Sequence, residues 1–109
     1  MANDAFGALA HPLRRRVVER LALGPATVGE ATRDFGVAKP TVSRHLKVLE
    51  EAGVIVRVID GRTHRLTLEP RPLDEAGAWL EAQRAQWTRL FDVVEGYLEE
   101  QEGTEHDRR

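Results

Sequence analysis

Cysteine is absent from this chain of 109 residues, which excludes disulfides, thiolate metal sites and cysteine nucleophiles. Long apolar runs are missing too, and none approaches the ~20 residues that would span a bilayer. Met1-Ala2-Asn3-Asp4 leads into neither a basic n-region nor an apolar h-region, so no signal peptide is expected and a cytoplasmic location is. Lysine is scarce: Lys39 and Lys47 stand among 16 cations, the rest arginine. Repeats and low-complexity stretches do not occur. What is present, 41% hydrophobic and 31% charged residues, suffices for one small packed domain.

The net charge is −2, a sum that by itself argues against a nucleic-acid partner. Its distribution reverses that inference. Residues 1–69 hold 11 Lys/Arg against 8 Asp/Glu, and residues 70–109 hold 5 against 10. The front is +3 and the tail −5, an asymmetry that suits polyanion contact on one side.

Periodicity then orders the chain. Ala5, Phe6 and Leu9 sit at helical spacing, and Pro12 suits a helix start. Leu13, Val17, Val18 and Leu21 form a second helical stripe, ended by Gly24-Pro25. Thr27-x-x-Glu30 is a capping box opening a helix through Asp34, and Gly36 breaks it in a left-handed conformation. A further helix is expected from about Lys39 to Ala52, stopped by Gly53. The period next switches to two, with strands Val54–Ile59 and Arg62–Leu68 around the hairpin dipeptide Asp60-Gly61. Whether the loop holds two residues or four, Ile55, Arg57 and Ile59 share a face with Arg62, His64, Leu66 and Leu68. After the breaker cluster Glu69-Pro70-Arg71-Pro72, a long helix is expected over about 73–100. Residues 101–109 read as a polar, flexible tail.

The expected fold is mainly α with a small β-hairpin, in the order α-α-α-α-β-β-α. Two short helices joined by a glycine-containing turn and followed by a two-stranded ribbon describe a winged helix-turn-helix. At 100° per residue, Val42, Leu46, Leu49 and Gly53 of the second helix occupy one sector, flanked by His45 and Ala52. The opposite sector collects Pro40, Ser43, Arg44, Lys47 and Glu51, with Thr41 at its border and Lys39 at the helix start. Hydroxyls and cations near a helix N-terminus suit a major groove, where Arg grips guanine and Ser or Thr meets base edges or phosphates. The bland alternative is a solvated amphipathic face. It does not account for the turn, the helix face and the basic wing (Arg62, His64, Arg65) occurring together.

Residues 8–18, ALAHPLRRRVV, and residues 39–55, KPTVSRHLKVLEEAGVI, together with the wing Asp60-Gly61-Arg62 and the closing helix, resemble the ArsR/SmtB family of bacterial regulators. The resemblance spans about Ala5 to Glu100. It implies a domain over 1–100 whose last helix dimerises, and a homodimeric repressor that binds double-stranded operator DNA. It also implies control by a signal, with the effector, small molecule or protein, unidentified. Trp79, Trp87 and Leu90 are similar to a non-metal branch of the family with tryptophans on its last helix.

Two departures from the family pattern stand out. Family members place Ser at the cap of the recognition helix, where this chain has Ala38. The metal sites are also missing. The segment Val28–Asp34 lacks the paired cysteines of the thiolate sensors, and Leu73–Glu100 lacks the histidines of the zinc sensors. No cofactor is expected and no metal; Glu102, Glu105, His106 and Asp107 read as solvated tail charges. His45 is expected to pack or cap and His11 to serve a turn, while His64 either approaches a phosphate or packs beside Arg57. No catalytic constellation is present, so an enzyme is not expected.

The long helix carries more apolar surface than a small monomer can cover. Leu80, Trp87, Leu90, Phe91, Val94 and Leu98, completed by Phe6 and Leu9 of the first helix, are the expected dimer interface. Rival readings are a protein-interaction module on the same scaffold and a metal-responsive regulator.

Overall fold

The computed structural model describes residues 4–107, with side chains to residue 102. It divides at Ala76 into a winged unit and a second unit that is helix alone.

In the winged unit, α1 (Ala5–Ala8) is capped by the Asp4 carboxylate, which accepts from the Gly7 amide at 2.8 Å. Helix α2 (Pro12–Leu21) has Pro12 at its first position and the His11 ring as its cap, Nδ1 accepting from the Leu13 amide at 3.1 Å. The capping box forms as expected: Thr27 and Glu30 exchange side-chain and backbone bonds of 2.9 and 3.2 Å at the start of α3. Helix α3 is shorter than the sequence predicts, Val28–Ala31. Thr32 turns its hydroxyl back onto the Val28 carbonyl at 2.7 Å, and Asp34 and Gly36 then take φ of 62° and 67°. Two left-handed residues in three make the tight turn, the first of them with a short polar side chain that tolerates it.

Helix α4 (Lys39–Glu51) ends in a Schellman motif. The Gly53 amide bonds the Glu50 carbonyl at 2.9 Å and the Val54 amide bonds Leu49 at 3.0 Å, with Gly53 at φ 73°, a conformation that favours glycine. Strands β2 (Ile55–Asp60) and β3 (Thr63–Leu68) pair antiparallel with Ile55 opposite Leu68, Arg57 opposite Leu66 and Ile59 opposite His64. The shared face is the one expected, except that Arg62 falls in the loop. The loop is two residues, Gly61-Arg62, one place later than Asp60-Gly61, because the left-handed φ of 61° falls on Gly61 as the first turn residue. A two-residue strand β1 (Ala26–Thr27) adds to β3, giving the order β1-β3-β2. Two residues are too few for any period, so the sequence does not show this strand.

The core is built from Ala8, Val17, Leu21, Leu46, Leu49, Val54, Ile55 and Leu66, all at or below 3% exposure. It covers only the base of the wing. Along the inner row Ile55 is buried, Arg57 half-buried and Ile59 exposed.

Helix α5 runs Pro70–Asp107, longer at both ends than expected. Pro70 and Pro72 are its first turn and not a breaker, since first-turn residues need no intrahelical N–H partner. At the other end, residues 101–107 continue the helix instead of leaving it at Glu100. Leu73 and Ala76 join the winged core. From Gly77 onward the large apolar side chains are exposed: Leu80, Trp87, Leu90, Phe91, Val94 and Leu98 stand 45–61% open. Among the described residues no helix is long and apolar enough to cross a membrane.

Candidate nucleic-acid interface

The exposed side of α4 carries Lys39, Pro40, Ser43, Arg44 and Lys47, with Thr41 half-buried at its border. Leu46 and Leu49 anchor the opposite side in the core, and Val42 packs against it. Gly53 departs from the expected inner sector, because it is the exposed residue that ends the helix. Lys47 and Glu51 form a surface ion pair at 3.9 Å, open enough to water to contribute little.

Ala38 precedes the helix with no side-chain cap. Its carbonyl accepts from the Thr41 and Val42 amides at 3.0 and 3.1 Å. Pro40 has no N–H, so at most the Lys39 amide remains in the first turn for an outside acceptor.

Two arginines missing from the sequence-based site hold this helix from behind. Arg14 donates from Nε to the Ala8 carbonyl at 2.7 Å and places a terminal nitrogen 3.2 Å from His45 Nδ1. It thereby ties the end of α1 to the middle of α4. The His11 and His45 rings lie 4.2 Å apart at 46°; His45 packs as expected, while His11, expected to serve a turn, caps α2. Burial first, then the nearby His11, Arg14 and Arg44, holds the His45 imidazole below its usual pKa.

Arg57 on β2 donates from Nε to Glu50 of α4 at 3.0 Å, and one of its terminal nitrogens lies 3.0 Å from His64 Nδ1. The pair is about a quarter to a third exposed. This clasp joins the recognition helix to both strands of the wing. Its sequence signal was the period of two, which turns Arg57 toward the core where a long cation needs an acid; Glu50 supplies it.

A groove of about 720 Å³ opens between the starts of α3 and α4 and the wing, lined by Lys39, Arg57, Arg62 and His64 with Thr27 and Gly29. Arg62 and Arg65 are exposed, whereas His64 is half-buried against Arg57. Among the described residues no group of three or more His, Cys, Asp or Glu is placed to hold a metal ion. The side chains of Glu105, His106 and Asp107 lie outside the described residues.

A helix-turn-helix domain model matches residues 9–58. The HTH-type transcriptional regulator Rv2034 of Mycobacterium tuberculosis is 46% identical over 71 residues, 65% of this chain and 66% of that protein. The transcriptional repressor SdpR of Bacillus subtilis is 31% identical over 78 residues, 72% of this chain and 87% of that protein. A crystal structure of an ArsR family transcriptional regulator superposes with a TM-score of 0.71 at 40% identity, covering 75% of this chain and 90% of that one. Sequence, fold and relatives agree that the chain belongs to the ArsR/SmtB family of winged helix-turn-helix transcriptional regulators.

Proposed function

We propose that the protein is a homodimeric repressor that binds an inverted-repeat operator in double-stranded DNA. The observation that carries this reading is the single cationic surface formed by the open side of α4 and the basic groove beside it. In this reading α4 enters the major groove, where Arg44 reads a base and Lys39, Thr41, Ser43 and Lys47 meet bases or phosphates. Pro40 contributes shape at the helix start. Arg62 and Arg65 of the wing neutralise flanking phosphates, and His64 supports the wing through Arg57. The exposed stripe of α5, with Phe6 and Leu9, joins two copies, which sets half-sites about a helical turn or a multiple of it apart.

The test is binding-site selection on random DNA, followed by two variants. Arg44→Ala should cost ~1–3 kcal/mol and relax preference at one base pair. Arg65→Ala should weaken all sequences alike and reduce the salt slope by about 1. Equal losses on selected and random DNA for Arg44→Ala would remove the base-reading role.

A further inference from the structure

Of the 16 cations in the chain, α4 holds three, Lys39, Arg44 and Lys47; the other 13 are all arginine. A guanidinium meets a phosphate at least as well as an ammonium does, so charge alone gives no reason for lysine at these two places. What an ammonium has and a guanidinium lacks is a proton it can shed, leaving an amine that attacks an acyl group. Both side chains are open to such a reaction. Lys39 is exposed and lines the groove of about 720 Å³ together with Arg57 and Arg62. Lys47 follows eight residues later, ~12 Å along the helix, with its side chain 76% exposed.

We propose that Lys39 and Lys47 are acylation sites, modified by a small acyl phosphate, and that their modification releases the protein from DNA. The inference rests on the DNA-binding reading above and adds a control to it. The groove favours this donor. Among the described residues no acid lines it, and while Glu50 answers Arg57, Arg62 has no ion pair there. A concave cationic surface concentrates a small dianion beside the Lys39 amine. The Nζ lone pair attacks the acyl carbon, a C–N bond forms, and the C–O bond to phosphorus-bound oxygen breaks, its electron pair leaving on the phosphate. Of the three ammonium protons one stays on the amide nitrogen, one goes to the phosphate and one to water. At Lys47 the Glu51 carboxylate, 3.9 Å from Nζ, is placed to relay that last proton.

The consequence for DNA follows from the charge of α4. Its three cations stand against Glu50 and Glu51, for a net charge of +1. An acyl-lysine is neutral, so acylating both lysines takes the helix to −1 and leaves Arg44 as its one cation. A helix of inverted sign is repelled where the unmodified helix is attracted. Two phosphate contacts are lost for each bound copy. The slope of log affinity against log salt should therefore fall by about 2, and affinity by roughly 10–100-fold at physiological salt.

The scarcity of lysine makes the experiment selective, because the α-amino group is the one other primary alkylamine in the chain. The full chain is treated with acetyl phosphate, and peptide mass spectrometry reads which amines carry the acetyl group. Binding to the operator obtained by selection is titrated before and after treatment. The double variant Lys39→Arg, Lys47→Arg keeps the charge but offers no amine at either place; it is treated alongside, and each protein is compared with its own untreated sample. The expected result is acetyl on both lysines, a loss of roughly 10–100-fold in the native chain, and no comparable loss in the double variant. Acetylation of both lysines with affinity unchanged overturns the switch. Acetyl on the α-amino group with none on the lysines overturns the sites. An equal loss in the double variant places the effect on another group and overturns both. An untreated protein that selects no operator from random DNA removes the DNA-binding reading itself, whatever the mass spectrum shows.

Discussion

The winged unit and the exposed part of α5 use similar residue types to opposite ends. Between residues 4 and 76, leucines, valines and alanines from α1, α2, α4 and the sheet close one core, although Leu23, Val56 and Val58 stay open, and the polar groups behind α4 are matched by named partners. Beyond Gly77 the tryptophans, leucines and valines stand open while the acids form the other face. A large apolar residue stabilises a fold only if something covers it. The first region contains its own cover, and the second displays what a cover would need.

The widest separation between the two regions should come from paired truncations. Leu46→Ala, at a position 1% exposed, should cost ~2–5 kcal/mol at any protein concentration. Chemical denaturation over a hundredfold concentration range checks it. Leu90→Glu should leave the winged unit's melting unchanged and weaken self-association by roughly 10–100-fold, a loss of ~1.4–2.8 kcal/mol, read by sedimentation equilibrium. If Leu90→Glu instead unfolds the winged unit at all concentrations, the two regions do not differ as described.

Within the winged unit the contrast can be refined. Arg57→Ala removes a half-buried clasp and should cost about 1 kcal/mol, discounted for its partial exposure to water. It should also weaken specific DNA binding by displacing wing from helix, which a fluorescence titration would detect. Ala38→Ser should add up to ~1 kcal/mol by supplying the missing cap, and a thermal melt reads the gain. If the same change also tightened DNA binding, the uncapped terminus would have no part in holding a phosphate.

The smallest effect is one of pH. The folded His45 is held below its usual value of 6.5, so the unfolded chain takes up its proton first as the pH falls. The stability tied to this ring is complete above about 6.5 and is lost as the pH drops below that toward the folded value. His45→Gln should flatten that part of the stability profile. An unchanged slope would mean that another group carries it.

Much of this molecule was legible in its sequence because strong local signals coincided. The capping box at Thr27, the proline at the start of α2 and the glycine after α4 each act within a few residues. Which side of α4 is exposed followed from one angle per residue. What stayed hidden depends on distant partners or very short pieces. Strand β1 exists only because Leu66 and Arg65 lie beside Ala26 and Thr27. The Arg14–His45 contact spans 31 positions, and no local pattern announces it. The prolines at 70 and 72 misled for a physical reason: the residue that ends one helix is equally suited to begin the next.

The position of Arg14 has a consequence for genetics. Its guanidinium is turned toward Ala8, Gly7 and His45, yet the element it steadies is the recognition helix. On the proposed reading of Arg44, a screen for mutants that lose operator control would recover Arg14 alongside Arg44 and could not tell them apart by phenotype. Second-site suppression would separate them. Loss of Arg14 should be rescued by changes that tighten the contact of α1 with α4 and leave operator preference unaltered. Loss of Arg44 should be rescued only by a changed operator.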